Sequence, residues 1–174
     1  MRTLYLLRHA KSDRSDPGLA DSDRPLAARG KRDAPAMGAY MCGHDYRPDL
    51  ILCSTSARTR ETLALLLPEL GRKIAAEYDR KLYLASPEAM LLRLREVDEQ
   101  VGSVLMIGHN PGMARLAAVL APRGDRRALA HMREKYPTSG LAVVHLHVDR
   151  WEQIEPGSGT LTDFMVPAEL PRKG

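Results

Sequence analysis

The sequence predicts an α/β fold. Short apolar runs recur along the chain, and amphipathic stretches of helical period alternate with them. At 174 residues the chain has the length of one ordinary domain. Such a domain buries about 70% of its unfolded surface and needs no disulfide or metal to hold it together.

Leu4 to Leu7 reads as the first buried strand. Asp33 to Cys42 reads as a helix, with Asp33 placed to cap it and Pro35 in the first turn, where proline is tolerated. Leu50 to Cys53 is a second strand, followed by a helix from about Ala57 to Leu67. Ser86-Pro87-Glu88 is a helix start: a capping serine, a proline at the first position and an acid beside the dipole. That helix carries Leu91, Leu92, Leu94 and Val97 towards Asp98. Val104 to Ile107 is the third strand, Pro111 opens the next helix, and Leu141 to Leu146 is a fourth strand expected at an edge. Residues 156–174, rich in Gly, Pro and polar residues, are expected to form a surface-wrapping tail. With no internal repeat and no linker, residues 1–174 form a single domain in this reading.

Composition narrows the function. A net charge of +4 suits an anionic partner, but aromatics, at 5% of the chain, are too sparse for a base-stacking platform, and no basic run appears. Nucleic acid is therefore not the expected partner. Cys42 and Cys53 lie outside any Cys-x-x-Cys pair and are expected to be reduced. The start of the chain lacks the pattern of a signal peptide, and the apolar run near Leu63 to Leu67 is far too short for a bilayer. A cytoplasmic protein with no membrane contact is the expectation.

The chemistry lies where strands end. Leu6-Leu7-Arg8-His9 closes the first strand, and Met106-Ile107-Gly108-His109 closes the third in the same way. Ligands of open α/β sheets sit at the carboxyl ends of strands, so both histidines can face one pocket. Arg58 follows the second strand in Ser54-Thr55-Ser56-Ala57-Arg58. Two arginines, two histidines and nearby helix N-termini converge on something small and anionic, and phosphate suits them best. His145 and His147 share a strand face, but no third ligand accompanies them, so no metal is expected. Neither a P-loop nor a dinucleotide fingerprint is present.

These residues resemble the histidine phosphatase superfamily (phosphoglycerate mutase-like), whose Arg-His-Gly signature stands here as Arg8-His9-Ala10. The likeness is to the SixA-type phosphohistidine phosphatases in Arg8-His9-Ala10-Lys11-Ser12, Asp23-Arg24-Pro25-Leu26 with Gly30, Ser54 to Thr62, and Gly108-His109-Asn110-Pro111. It covers about Met1 to Val148. The resemblance implies a three-layer α/β/α sandwich around a mainly parallel sheet. It also implies a metal-independent phosphatase, without cofactor, in which His9 is the nucleophile and forms a phosphohistidine. Arg8, Arg58 and His109 are then expected around the phosphoryl oxygens, and Arg24 as a further substrate contact. The implied substrate is a phosphohistidine protein or a small phosphorylated compound.

The wider superfamily places a carboxylate general acid after the third structural segment. The comparable stretch here, Lys81-Leu82-Tyr83-Leu84-Ala85-Ser86, has none, and Glu77, Asp79 and Glu88 are the nearby candidates. Without an acid, the reading favours substrates with a good leaving group over a mutase reaction. A broad small-molecule phosphomonoesterase and a non-catalytic phosphoprotein-binding module are the alternatives.

Overall fold

The computed structural model describes residues 1–171. Twelve elements position the site: β1 (Arg2–Arg8), α1 (Ala28–Gly43), β2 (Leu50–Ser54), α2 (Ala57–Leu66), β3 (Ala75–Asp79), α3 (Pro87–Arg95), β4 (Ser103–Gly108), α4 (Gly112–Leu120), β5 (Arg123–Gly124), α5 (Arg126–Glu134), β6 (Leu141–Leu146) and β7 (Gly159–Met165). Among the described residues seven strands form one sheet in the order β3-β2-β4-β1-β6-β7-β5. Only β6 runs against the rest.

The continuous apolar strands follow from burial on both faces. Leu4 and Leu6 of β1 point to one side, where they pack with Met90 and Leu94 of α3, Leu116 and Leu120 of α4 and Met132 of α5. Tyr5 and Leu7 point to the other, with Met37 and Met41 of α1 and Leu63 and Leu66 of α2. Helices thus cover both faces, and the three-layer expectation holds.

Four local expectations need correction. Helix α1 starts at Ala28, not Asp33, and Pro35 lies inside it. Its buried stripe is Gly30, Ala34, Met37, Gly38 and Met41; the small residues at its start mask the helical period. Gly30 is required there, because a Cβ would stand 2.2 Å from the Lys11 carbonyl oxygen. The strand expected at an edge, β6, is internal, paired with both β1 and β7. Residues 159–165 of the expected tail are not a surface wrapping but strand β7, with Leu161 fully buried and Phe164 nearly so. A bulge opposite Val143 and Val144 shifts the register, so these inward residues are three apart and break the period-two signal. Tyr40 and Tyr46 both donate to Asp163 Oδ2, at 2.6 and 2.8 Å, tying β7 to the α1 side. Residues 172–174 of the expected tail lie outside the described residues.

The fourth correction is omission. Strand β3 has four exposed residues in five and no apolar alternation. Helix α5 buries only Ala128 and Met132 and is capped by Asp125 Oδ1, which accepts from Ala128 N at 2.8 Å. The Ser86 cap was legible: its hydroxyl accepts from Ala89 N at 3.1 Å. Among the described residues no helix is long and apolar enough to cross a membrane.

Candidate active site

Parallel pairing of β1 with β4 sets Arg8 opposite Gly108, so the chain delivers His9 and His109 side by side. His9 N donates to Gly108 O at 3.1 Å, and the two imidazole centroids are 5.4 Å apart. Strand β2 lies on the other flank of β4 and ends at Ser54, beside His109.

The turn after β1 is held from two sides. Ala10 N donates to Thr62 Oγ1 at 3.0 Å, and Thr62 Oγ1 donates to Arg58 O at 2.7 Å. Ser139 N donates to the carbonyls of both Arg8 and His9 at 3.0 Å, from a left-handed backbone with φ of 58°. Arg8 reaches Tyr136 O through Nη1 at 3.0 Å, and Asn110 Nδ2 donates to the same carbonyl at 2.9 Å.

His9 is 7% exposed. Its Nδ1 stands 2.7 Å from Ala10 O, and a carbonyl only accepts, so Nδ1 carries the proton. Nε2 is left with its lone pair. Burial pushes the His9 pKa down to about 3, opposed by the Ala10 contact and assisted by His109, Arg58 and Arg8. The ring is therefore neutral at physiological pH. His109 is held neutral too, at about 4, first by burial and then by Arg58. Its Nδ1 faces Arg58 Nη2 at 3.3 Å, so Nδ1 is the acceptor and Nε2 donates to Ser54 Oγ at 2.7 Å.

Arg58 is 2% exposed, and helix α2 places it. Ser56 caps that helix, accepting from Thr59 N, and Thr59 Oγ1 donates back to Ser54 O at 2.7 Å. The Nε atoms of Arg8 and Arg58 and the Oγ of Ser139 are buried with no hydrogen-bond partner among the described residues. Buried donors without acceptors are rare in folded proteins; Arg2 Nε, at the far end of β1, is another, while those of Arg8 and Arg58 fall beside the strand-end histidines. Burial also lowers the Arg8 pKa from its ordinary value, which an anion beside it would offset.

The structure thus brings together His9, His109, Arg8 and Arg58. Arg24 also comes to the site, but its fork is engaged: Nε and Nη2 donate to Asp21 Oδ1 at 3.1 and 2.9 Å, and Nη1 to Ser12 Oγ at 2.7 Å. The candidate acids do not join them. Glu77 and Asp79 are ion-paired with Arg93, and Glu88 is exposed in the first turn of α3.

Two site residues escaped the sequence reading, Asp21 and Tyr83. Asp21 lies in the 3₁₀ turn Asp21–Asp23, and its Oδ2 accepts from Arg58 Nη2 at 3.0 Å and from Tyr83 Oη. Its carbonyl accepts from Arg58 Nη1 at 2.7 Å. Tyr83 stands edge-on to His109, with centroids 5.3 Å apart. The only sequence signal for Asp21 is its position three residues before Arg24. The Tyr83 hydrogen bond, followed by Arg58 and Arg24, holds the Asp21 carboxyl well below the usual carboxylate range despite some burial. Among the described residues no group of three or more His, Cys, Asp or Glu side chains is placed to hold a metal ion.

A doubly covered, mainly parallel sheet with buried guanidinium donors around a neutral strand-end imidazole defines an α/β enzyme of phosphoryl chemistry. The chain belongs to the histidine phosphatase superfamily, whose branch 1 family model matches residues 4–83. Within it the chain is of the SixA type. It is 34% identical to the putative phosphohistidine phosphatase SixA from Agrobacterium tumefaciens, with a TM-score of 0.79 over 95% of this chain and 98% of that one. The protein histidine phosphatase SixA complexed with tungstate superposes with a TM-score of 0.77 at 26% identity, over 95% of this chain and 97% of that one. The phosphohistidine phosphatase SixA of Escherichia coli (strain K12) is 27% identical over 169 residues, 96% of this chain and 95% of the relative. The chain is accordingly a hydrolase of the phosphatase class.

Proposed function

We propose that this phosphatase hydrolyses protein phosphohistidine, or another phosphoryl compound with a good leaving group, through a phosphohistidine on His9 Nε2. The observation that carries the reading is the His9 ring itself. It is buried and neutral, its proton is fixed on Nδ1 by Ala10 O, and it adjoins two guanidinium groups with unpaired buried Nε donors.

In the first step the Nε2 lone pair forms a bond to phosphorus. The bond from phosphorus to the leaving group breaks, and its electron pair departs with that group. In the second step water attacks phosphorus, the N–P bond returns its pair to Nε2, and the water's proton passes to solvent. Arg8 and Arg58 offset the charge on the phosphoryl oxygens throughout. His109 stays neutral and orients the Arg58 guanidinium by accepting from its Nη2 on Nδ1.

The carboxylates argue for the substrate class. Asp21 is held ionised, and Glu77 and Asp79 are paired with Arg93, so none is poised as a general acid at neutral pH. A phosphoimidazole protonated on its second nitrogen needs no acid, because it departs as neutral imidazole. The phosphohistidine activity named for the E. coli relative supports the same class.

The test is His9→Asn, whose amide can keep the contact to Ala10 O. Turnover of a phosphohistidine protein should fall by roughly 10⁴-fold or more with the fold intact. Acid-labile, alkali-stable phosphate should be trapped on the wild type alone. Substantial turnover by the variant would overturn the covalent mechanism.

A further inference from the structure

Asp21 sits at the mouth of the site among groups that suit an anion, although it is an anion itself. Its side chain is 48% exposed, whereas that of Arg58 is 2% exposed. It grips Arg58 by the outer end of the guanidinium, Nη1 through its carbonyl and Nη2 through Oδ2. The Nε atom is buried and unpaired. Its other carboxylate oxygen takes Nε and Nη2 of Arg24. One carboxylate thus binds both arginines and accepts from Tyr83 Oη besides.

Arg8, Arg24 and Arg58 are permanently cationic, and His9 and His109 are neutral. The Asp21 carboxylate takes one from the three positive charges of these arginines. Arg14, exposed to solvent, adds a further positive charge beside Arg8. We infer that Asp21 is a specificity-determining residue. Its carboxylate lowers the positive charge of the arginine cluster by one, so the site favours compounds whose remaining part carries no negative charge. Imidazole and neutral aryl groups meet that condition; a carboxylate next to the phosphoryl group does not. The inference rests on the phosphoryl-site reading above and narrows its substrate class.

A purely structural role for Asp21, as a brace for Arg58, predicts that Asp21→Asn weakens all phosphoryl ligands alike. A charge filter predicts a change in the ratio between ligands. The experiment is calorimetric binding of propylphosphonate and phosphonoacetate, in alkaline buffer where both phosphonates are fully ionised. The two are similar in size and differ by one carboxylate beside the phosphorus. The ratio of propylphosphonate to phosphonoacetate affinity should fall by roughly five- to tenfold from wild type to Asp21→Asn. That range follows from Coulomb's law at about 7 Å with an effective dielectric between protein surface and water. Tyr83→Phe, which removes a hydrogen bond and no charge, should keep the wild-type ratio. An unchanged ratio in Asp21→Asn overturns the inference and leaves the phosphatase reading standing. Failure of the wild type to bind either phosphonate overturns the phosphoryl site itself, and the charge filter with it.

Discussion

Acidification from about pH 7 to about pH 5 should remove about 4 kcal/mol of folding stability through two histidines. Both are neutral in the folded chain, with pKa about 3 for His9 and about 4 for His109, against an ordinary value near 6.5. A histidine with a depressed folded pKa gives full stability above its unfolded pKa and loses it as pH falls below that value. The loss grows until pH reaches the folded pKa, because only the unfolded chain takes up the proton in between. At about 1.4 kcal/mol per pH unit, each ring contributes a loss of about 2 kcal/mol by pH 5. Both rings are more than nine-tenths buried, so solvent screening takes little from that figure. The lowered carboxyl of Asp21 acts with the same sign but in a lower window, below about pH 4. The assay is urea unfolding between about pH 7.5 and pH 5, comparing wild type with His9→Asn. The variant should lose about half as much stability across that range. Parallel curves would refute the claim that His9 is kept neutral by burial.

Other outcomes follow from the same geometry. A leaving-group series at one pH should give a steep negative slope of log rate against leaving-group pKa. Alkoxide and imidazole conjugate acids differ by about nine units, and no acid is poised to bridge them; a flat plot with chemistry rate-limiting would mean that an acid acts. Exhaustive chelation should leave turnover unchanged, and a loss restored by a divalent ion would defeat the arginine-based mechanism. Thr62→Val keeps the side chain's shape but strands the buried Ala10 N–H, which should cost about 1–3 kcal/mol in urea unfolding and lower kcat; a change below about 0.5 kcal/mol would mean that Ala10 N finds another partner.

The sheet's central strands and the gathering of side chains at their ends are legible in the chain alone. Leu4 to Leu7 and Val104 to Ile107 are apolar throughout because both faces of the sheet are covered, and that pattern survives without any knowledge of pairing. The residues that follow such strands must emerge at one end of the sheet, so Arg8, His9 and His109 were legible, and so was Arg58 beyond the Ser56 cap. The tertiary structure alone decided the rest. Strand β7 was hidden because a bulge breaks its period, and β3 because its exposed edge carries no apolar alternation. Asp21 meets Arg58 across 37 residues and Tyr83 across 62, contacts between loops that leave no periodic trace in the chain. The tautomer of His9 likewise depends on where one carbonyl points. Periodicity records which faces of strands and helices are buried; it carries no record of which loop a charged side chain will reach.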